Sequence, residues 1–243
     1  MFGYFMTLAI YSIFLFTVLS VVYFKELFNK IFPILIVIVW YTILNFLNVQ
    51  PFLYIGHMNW VGKFSILFMS VLLIMFYKFY KKRDFIYFQF NENRNITIII
   101  ISAYILIVLG SLIVLFVSHK FDWQRFLMNA VLVGVSEEFY YRGFLYQKII
   151  MLNEPKETTT NNTLKSIILC SLAFAVWHIF PFRLSIAYNI YQFCLAFAWG
   201  IGFNLIYVKT KNIINPILIH NSADIIGYVV TIVFLTPVQP IIG

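Results

Sequence analysis

Charge is what this sequence has least of. Only 11% of its 243 residues are Asp, Glu, Lys or Arg, against about 25% in an ordinary soluble domain. Acids are the scarcer sign, nine against 17 Lys and Arg. This shortage excludes a conventional water-exposed surface and points to a bilayer as solvent. Cysteine is nearly missing as well. Cys170 and Cys194 fit no metal-binding spacing and read as small buried residues. No internal repeat is evident, and no segment has the composition of an interdomain linker. The opening stretch, MFGYFMTLAIYSIFLFTVLSVVYF, lacks a basic n-region and a small-residue cleavage site. It reads as a retained helix and not as a signal peptide.

Hydrocarbon is what the chain has instead. Hydrophobic residues make up 62%, and the mean hydropathy is +0.90. A hydrocarbon core of about 30 Å needs roughly 20 apolar residues per helix. Apolar stretches run near 3–24, 31–48, 58–77, 96–117, 123–147, 164–180, 186–208 and 215–236. The expected fold is therefore all-α, a polytopic membrane protein of about eight transmembrane helices. It forms a single integral membrane helical domain over 1–243.

The net charge of +8 follows the same topology. Lys25, Lys30, the KFYKKRDF stretch (78–85), Arg94, Lys148, Lys156, Lys165, Lys209 and Lys211 fall on one side. Lys63, Lys120, Arg125 and Arg183 fall on the other. By the positive-inside rule both termini lie outside and the basic loops are cytoplasmic. NEPKETTTNN (153–162) is then a cytoplasmic loop, and residues 85–95 lie at the interface. Contact with the lipid bilayer and its anionic headgroups accounts for the charge, and no nucleic acid is expected as a partner. Abundant Phe, Ile, Tyr, Asn and Lys suggest an AT-rich, bacterial genome and a cell-membrane location.

Ionisable side chains inside a membrane are costly and mark functional sites. Of the acids, Glu137, Glu138 and Asp224 lie within spans, as do His178 and His220. Every deep ionisable group other than Tyr and Cys is thus expected in the C-terminal half. Counted from Lys148, Lys165 and Lys211, these residues sit roughly 13–20 Å along their helices, at similar depth. Glu138 and Arg142 are i and i+4, so they share a face and can pair. His220 and Asp224 have the same spacing, and Phe174 can pack beneath His178. Glu137 is turned about 100° from Glu138, which frees it for another partner such as His178. Asn189, Gln192 and Asn204 can reach the site or bond between helices. Gly200 and Gly202 suit close helix approach.

Two chemistries fit this set. A desolvated carboxylate is a competent general base for water, with a histidine to share the proton. A second histidine with a polar partner can stabilise an oxyanion. Alternatively His178, His220 and Glu137 or Asp224 can ligate a divalent metal such as zinc, with an open position for water. Ser136 and Ser222 flank the cluster but fit no triad spacing.

Three stretches, EEFYYR (137–142), FAVWH (174–178) and HNSAD (220–224), match E-E-x-x-x-R, F-x-x-x-H and H-x-x-x-N/D in order. In this the chain resembles the CAAX protease and bacteriocin-processing (Abi) family of intramembrane endopeptidases, over about 121–236. The resemblance implies a catalytic core there. Glu137 would activate water with His178, and His220 and Asp224 would support the oxyanion or the water. Glu138 would be a second essential carboxylate tied to Arg142. Family members are described both as glutamate-type and as metal-dependent. Asp stands at 224 where the pattern also allows Asn, so it can orient His220, stay protonated or ligate a metal. The implied partner is a membrane-associated peptide or protein substrate: a peptide pheromone precursor, a bacteriocin leader or a membrane regulator. The other classes compatible with the residues are a catalytically silent scaffold or immunity-type protein and a proton-coupled transporter. The last fits less well, since the polar groups occupy one half of the chain only.

Overall fold

The computed structural model describes residues 55–81 other than 57, 93–119, 121–153, 160–178 and 186–235. The expected spans 3–24 and 31–48, with the retained first helix, lie outside them, as do the loop residues 82–92 and 154–159. The six remaining spans are all helical. The described residues contain no strand beyond an isolated bridge between Ile55 and Met58. We number the helices α1 (Trp60–Lys81), α2 (Arg94–Val117), α3 (residues 123–153), α4 (Thr160–His178), α5 (Ile186–Thr210) and α6 (Ile214–Val230). A π-helical turn, Thr231–Leu235, continues α6.

Among the described residues, three helices are long and apolar enough to cross a bilayer: Arg94–Val117, Ile186–Thr210 and Ile214–Val233. Shorter apolar stretches, Trp60–Phe76 and Thr163–His178, lie in α1 and α4. Large side chains stand exposed on these helices, among them Phe64 and Phe68 on α1, Leu106 and Ile113 on α2, and Ile186 and Ile190 on α5. Water would not tolerate so much apolar surface. Hydrocarbon tails do, so the chain is an integral membrane protein.

The order of packing follows from where charge can go. α3 carries Glu137, Glu138 and Arg142 and is the helix least able to face lipid. It is enclosed accordingly by α1, α4 and α6, with α2 covering α6 and α5 lying across α4 and α6. One hydrophobic core forms around Tyr140, Phe144, Phe174, Phe203 and Tyr207. A second gathers Leu115, Phe126, Ala130, Ile225 and Tyr228.

α3 is not a regular α-helix. Met128–Leu132 and Phe139–Tyr146 are π-helical, and such wide turns recur at functional sites. They leave backbone groups that lipid cannot satisfy, and side chains from three neighbours supply the partners. The Tyr104 hydroxyl on α2 donates to the Ala130 carbonyl. Asn221 on α6 accepts from the Gly134 N–H at 2.8 Å and donates to the Val131 carbonyl at 3.4 Å. Cys170 on α4 donates to the Tyr141 carbonyl at 3.3 Å. Helices approach closely at two glycines. A Cβ on Gly134 would lie 2.4 Å from the Asn221 side-chain oxygen, and one on Gly200 would lie 3.1 Å from the Ser171 backbone. Gly202, expected to act likewise, has open space over it. Cys170 is buried as expected, whereas Cys194 is exposed, because its position on α5 turns away from the bundle.

Candidate active site

The expected Glu138–Arg142 pair forms at the centre of α3, both side chains fully buried. Arg142 Nη1 donates to Glu138 Oε1 at 2.9 Å, and Nη2 donates to the Gly200 carbonyl at 3.1 Å. The guanidinium lies over the rings of Phe174 and Phe203, 4.9 and 5.2 Å from their centroids. Asn204 bonds the same Gly200 carbonyl at 2.9 Å and Ser171 Oγ at 3.0 Å. It therefore supports the arginine's surroundings from α5 and lies behind the carboxylates.

Glu138 serves a second group. His220 Nδ1 stands 2.8 Å from the same Oε1, and a carboxylate can only accept, so the imidazole donates from Nδ1. Its Nε2 then points between Glu137 Oε2, at 3.8 Å, and Asp224 Oδ2, at 3.7 Å. The ring is held flat against Phe203, centroids 5.0 Å apart at 17°, and Phe203 in turn stacks on Trp199 at 5.4 Å. Neither aromatic has a signal in the sequence, since one Phe among 28 carries no mark of its neighbour.

Glu137 corrects two expectations. Its hydrogen-bond partner is not His178 but Lys63, whose ammonium donates to Oε1 at 2.7 Å. The buried Oε2 has no hydrogen-bond partner. Lys63 is thus no loop cation of the outer side, and the deep ionisable groups are not confined to the C-terminal half. The first turn of α1 packs against α3 at the depth of the carboxylate, which brings the lysine to it. A signal existed: α1 contains no acid, so a lysine in its apolar run needs a counter-charge from elsewhere.

His178 ends α4. Its Nδ1 donates to the Phe174 carbonyl at 2.8 Å, which leaves Nε2 as the atom free to accept. Phe174 lies against it with ring centroids 4.4 Å apart and meets His220 edge-on at 5.8 Å. Asp224 makes no hydrogen bond through Oδ2, and its side chain is 30% exposed. It borders a cavity of about 400 Å³ with His178, His220 and Phe174 at the polar end. Leu195 and Trp199 of α5 form the apolar wall, where Gln192 also lies. Asn189 makes no contact of this kind.

Among the described residues, no three His, Cys, Asp or Glu side chains stand where one ion could bind them. Nδ1 of each histidine is engaged and Glu137 Oε1 is held by Lys63, so the atoms left to face a water or an ion are the two Nε2 nitrogens, Glu137 Oε2 and Asp224 Oδ2.

Residues 118–226 match the sequence family described as Rce1-like, type II CAAX prenyl endopeptidase. Over this segment the chain is similar to the CAAX protease family. No curated protein and no solved structure matches the chain. The CAAX protease segment takes in α3, α4 and α5 and most of α6, and with them Glu137, Glu138, Arg142, His178, His220 and Asp224. This similarity supports proteolysis at the membrane as the general activity. α1, which supplies Lys63, lies outside the match.

Proposed function

We propose that the protein is an intramembrane endopeptidase that hydrolyses a peptide bond of a membrane-associated peptide or protein. The observation that carries this reading is convergence. His178, His220 and Asp224 line one cavity, and Glu137 and Glu138 stand next to it against His220, at 3.8 and 2.8 Å. Glu137 Oε2 has no hydrogen-bond partner and stands 3.8 Å from His220 Nε2, and it takes a proton from water as the water oxygen attacks the scissile carbonyl carbon. His178 accepts from the same water through Nε2. His220, fixed through Nδ1 by Glu138, turns Nε2 toward the developing oxyanion and donates to it when that nitrogen is protonated. Asp224 orients His220. Collapse of the tetrahedral intermediate breaks the C–N bond, and the proton held by Glu137 passes to the departing nitrogen. Water is consumed, and a carboxylic acid and an amine leave.

In this proposal residues 121–236 are the catalytic core of a single domain, 1–243, with about eight transmembrane helices. The cavity lies toward the ends of α4, α5 and α6 away from Lys165, Lys209 and Lys211, and both termini lie outside. The substrate is a peptide pheromone precursor, a bacteriocin leader or a membrane regulator.

The test is cleavage of a host membrane-peptide mixture by the purified protein in lipid vesicles, read by mass spectrometry. We expect cuts by the wild type that Glu137→Gln abolishes and that persist with a metal chelator. Loss with chelator would move the water onto a metal. A Glu137→Gln strain with unchanged peptides and phenotype would replace the protease by a scaffold.

A further inference from the structure

Each carboxylate of the adjacent pair in α3 has a cation of its own, and each cation bonds one oxygen. Arg142 grips Glu138 within α3 and is braced by Gly200. Lys63 reaches Glu137 from α1, a helix outside the CAAX protease segment, and touches one oxygen only. The ammonium is a point donor, whereas a free guanidinium, with no carbonyl to hold its second nitrogen as Gly200 holds that of Arg142, can engage both oxygens. Oε1 is thereby tied down, and Oε2 is left unpartnered 3.8 Å from His220 Nε2. The lysine's own position is set as well. Asn59 Oδ1 accepts from the Gly62 N–H at 2.7 Å, which caps α1 where it begins, three residues ahead of Lys63.

We infer that Lys63 is a positioning residue that holds Glu137 through Oε1 so that Oε2 faces the water beside His220. This role rests on Glu137 being the base proposed above. It distinguishes Lys63 from a simple counter-charge, since the number of oxygens engaged matters and not only the sign. The lysine side chain is 23% exposed, so a small cation has a path to replace it.

The experiment uses the full chain in lipid vesicles with a fluorogenic farnesylated CAAX peptide as probe. Lys63→Ala should lower kcat by roughly 100-fold, the scale expected when a reacting group is misplaced, with KM nearly unchanged. Added methylammonium, again a point donor, should restore much of the lost rate, and guanidinium should not. A wild-type kcat in Lys63→Ala, a loss confined to KM, or equal rescue by both cations would overturn the role of Lys63. If Glu137→Gln cleaves as the wild type does, the catalytic reading falls and this inference with it. A readout independent of substrate is the infrared carboxylate band that disappears in Glu137→Gln. That band should shift in Lys63→Ala and return with methylammonium. An unchanged band overturns the inference whatever peptide is cut.

Discussion

Arg142 is fully buried, with a carboxylate and a carbonyl as acceptors and three aromatic rings around it. Removing one member of such a pair strands the other charge, at about 3–5 kcal/mol. Arg142→Met should therefore lower unfolding stability in detergent by about that amount. Arg142→Lys should fall between, because an ammonium cannot reach both Glu138 and Gly200 in the same way. Glu138→Gln asks a different question. It keeps an acceptor but loosens the tautomer of His220, and should lower kcat by roughly 100-fold with little change in KM. Steady-state kinetics on any cleaved peptide checks it. At this scale the Glu138–Arg142 contact was legible, because helix spacing alone puts i and i+4 on one face. The Glu137–Lys63 contact was not. Its partners are 74 residues apart, and no periodicity links one helix to another.

The irregular middle of α3 belongs to the scale of elements. Two π-helical stretches flank the Glu137–Glu138 pair, and Asn221 clasps the first of them next to Gly134. An added methyl at Gly134 meets the amide of Asn221 at 2.4 Å, so Gly134→Ala should force α3 and α6 apart. The expected loss is about 1–3 kcal/mol, as for overpacking elsewhere. Asn221→Ala should remove the clash and also strand the Gly134 N–H. The double variant should thus be more stable than the sum of the two single losses, which thermal unfolding in detergent measures. Helix identity was readable from apolar run length in all six described spans. The π turns were not, since they depend on whether Tyr104, Cys170 and Asn221 arrive to satisfy the loosened backbone. Gly200 was foreseen as a close approach, whereas Gly202 has the same residue type and no neighbour.

For the whole molecule, composition alone was decisive about the solvent and about the helical class. Orientation rests on the distribution of basic loops, and labelling decides it. A single cysteine at position 156, in a background without Cys170 and Cys194, should react with an impermeant maleimide only after the membrane is opened. One at position 119 should react in intact cells. The opposite pattern would place the cavity's polar end toward the other face. The charge balance of the site also spans the whole chain. Glu137, Glu138 and Asp224 supply three carboxylates, and the permanent cations facing them, Lys63 and Arg142, come from different helices. A graft of residues 118–226 onto another membrane scaffold would transfer every motif and leave one countercharge behind. The motifs are portable as a sequence, but electroneutrality is not, and two polypeptides severed between α1 and α2 would recover it only by reuniting in the bilayer.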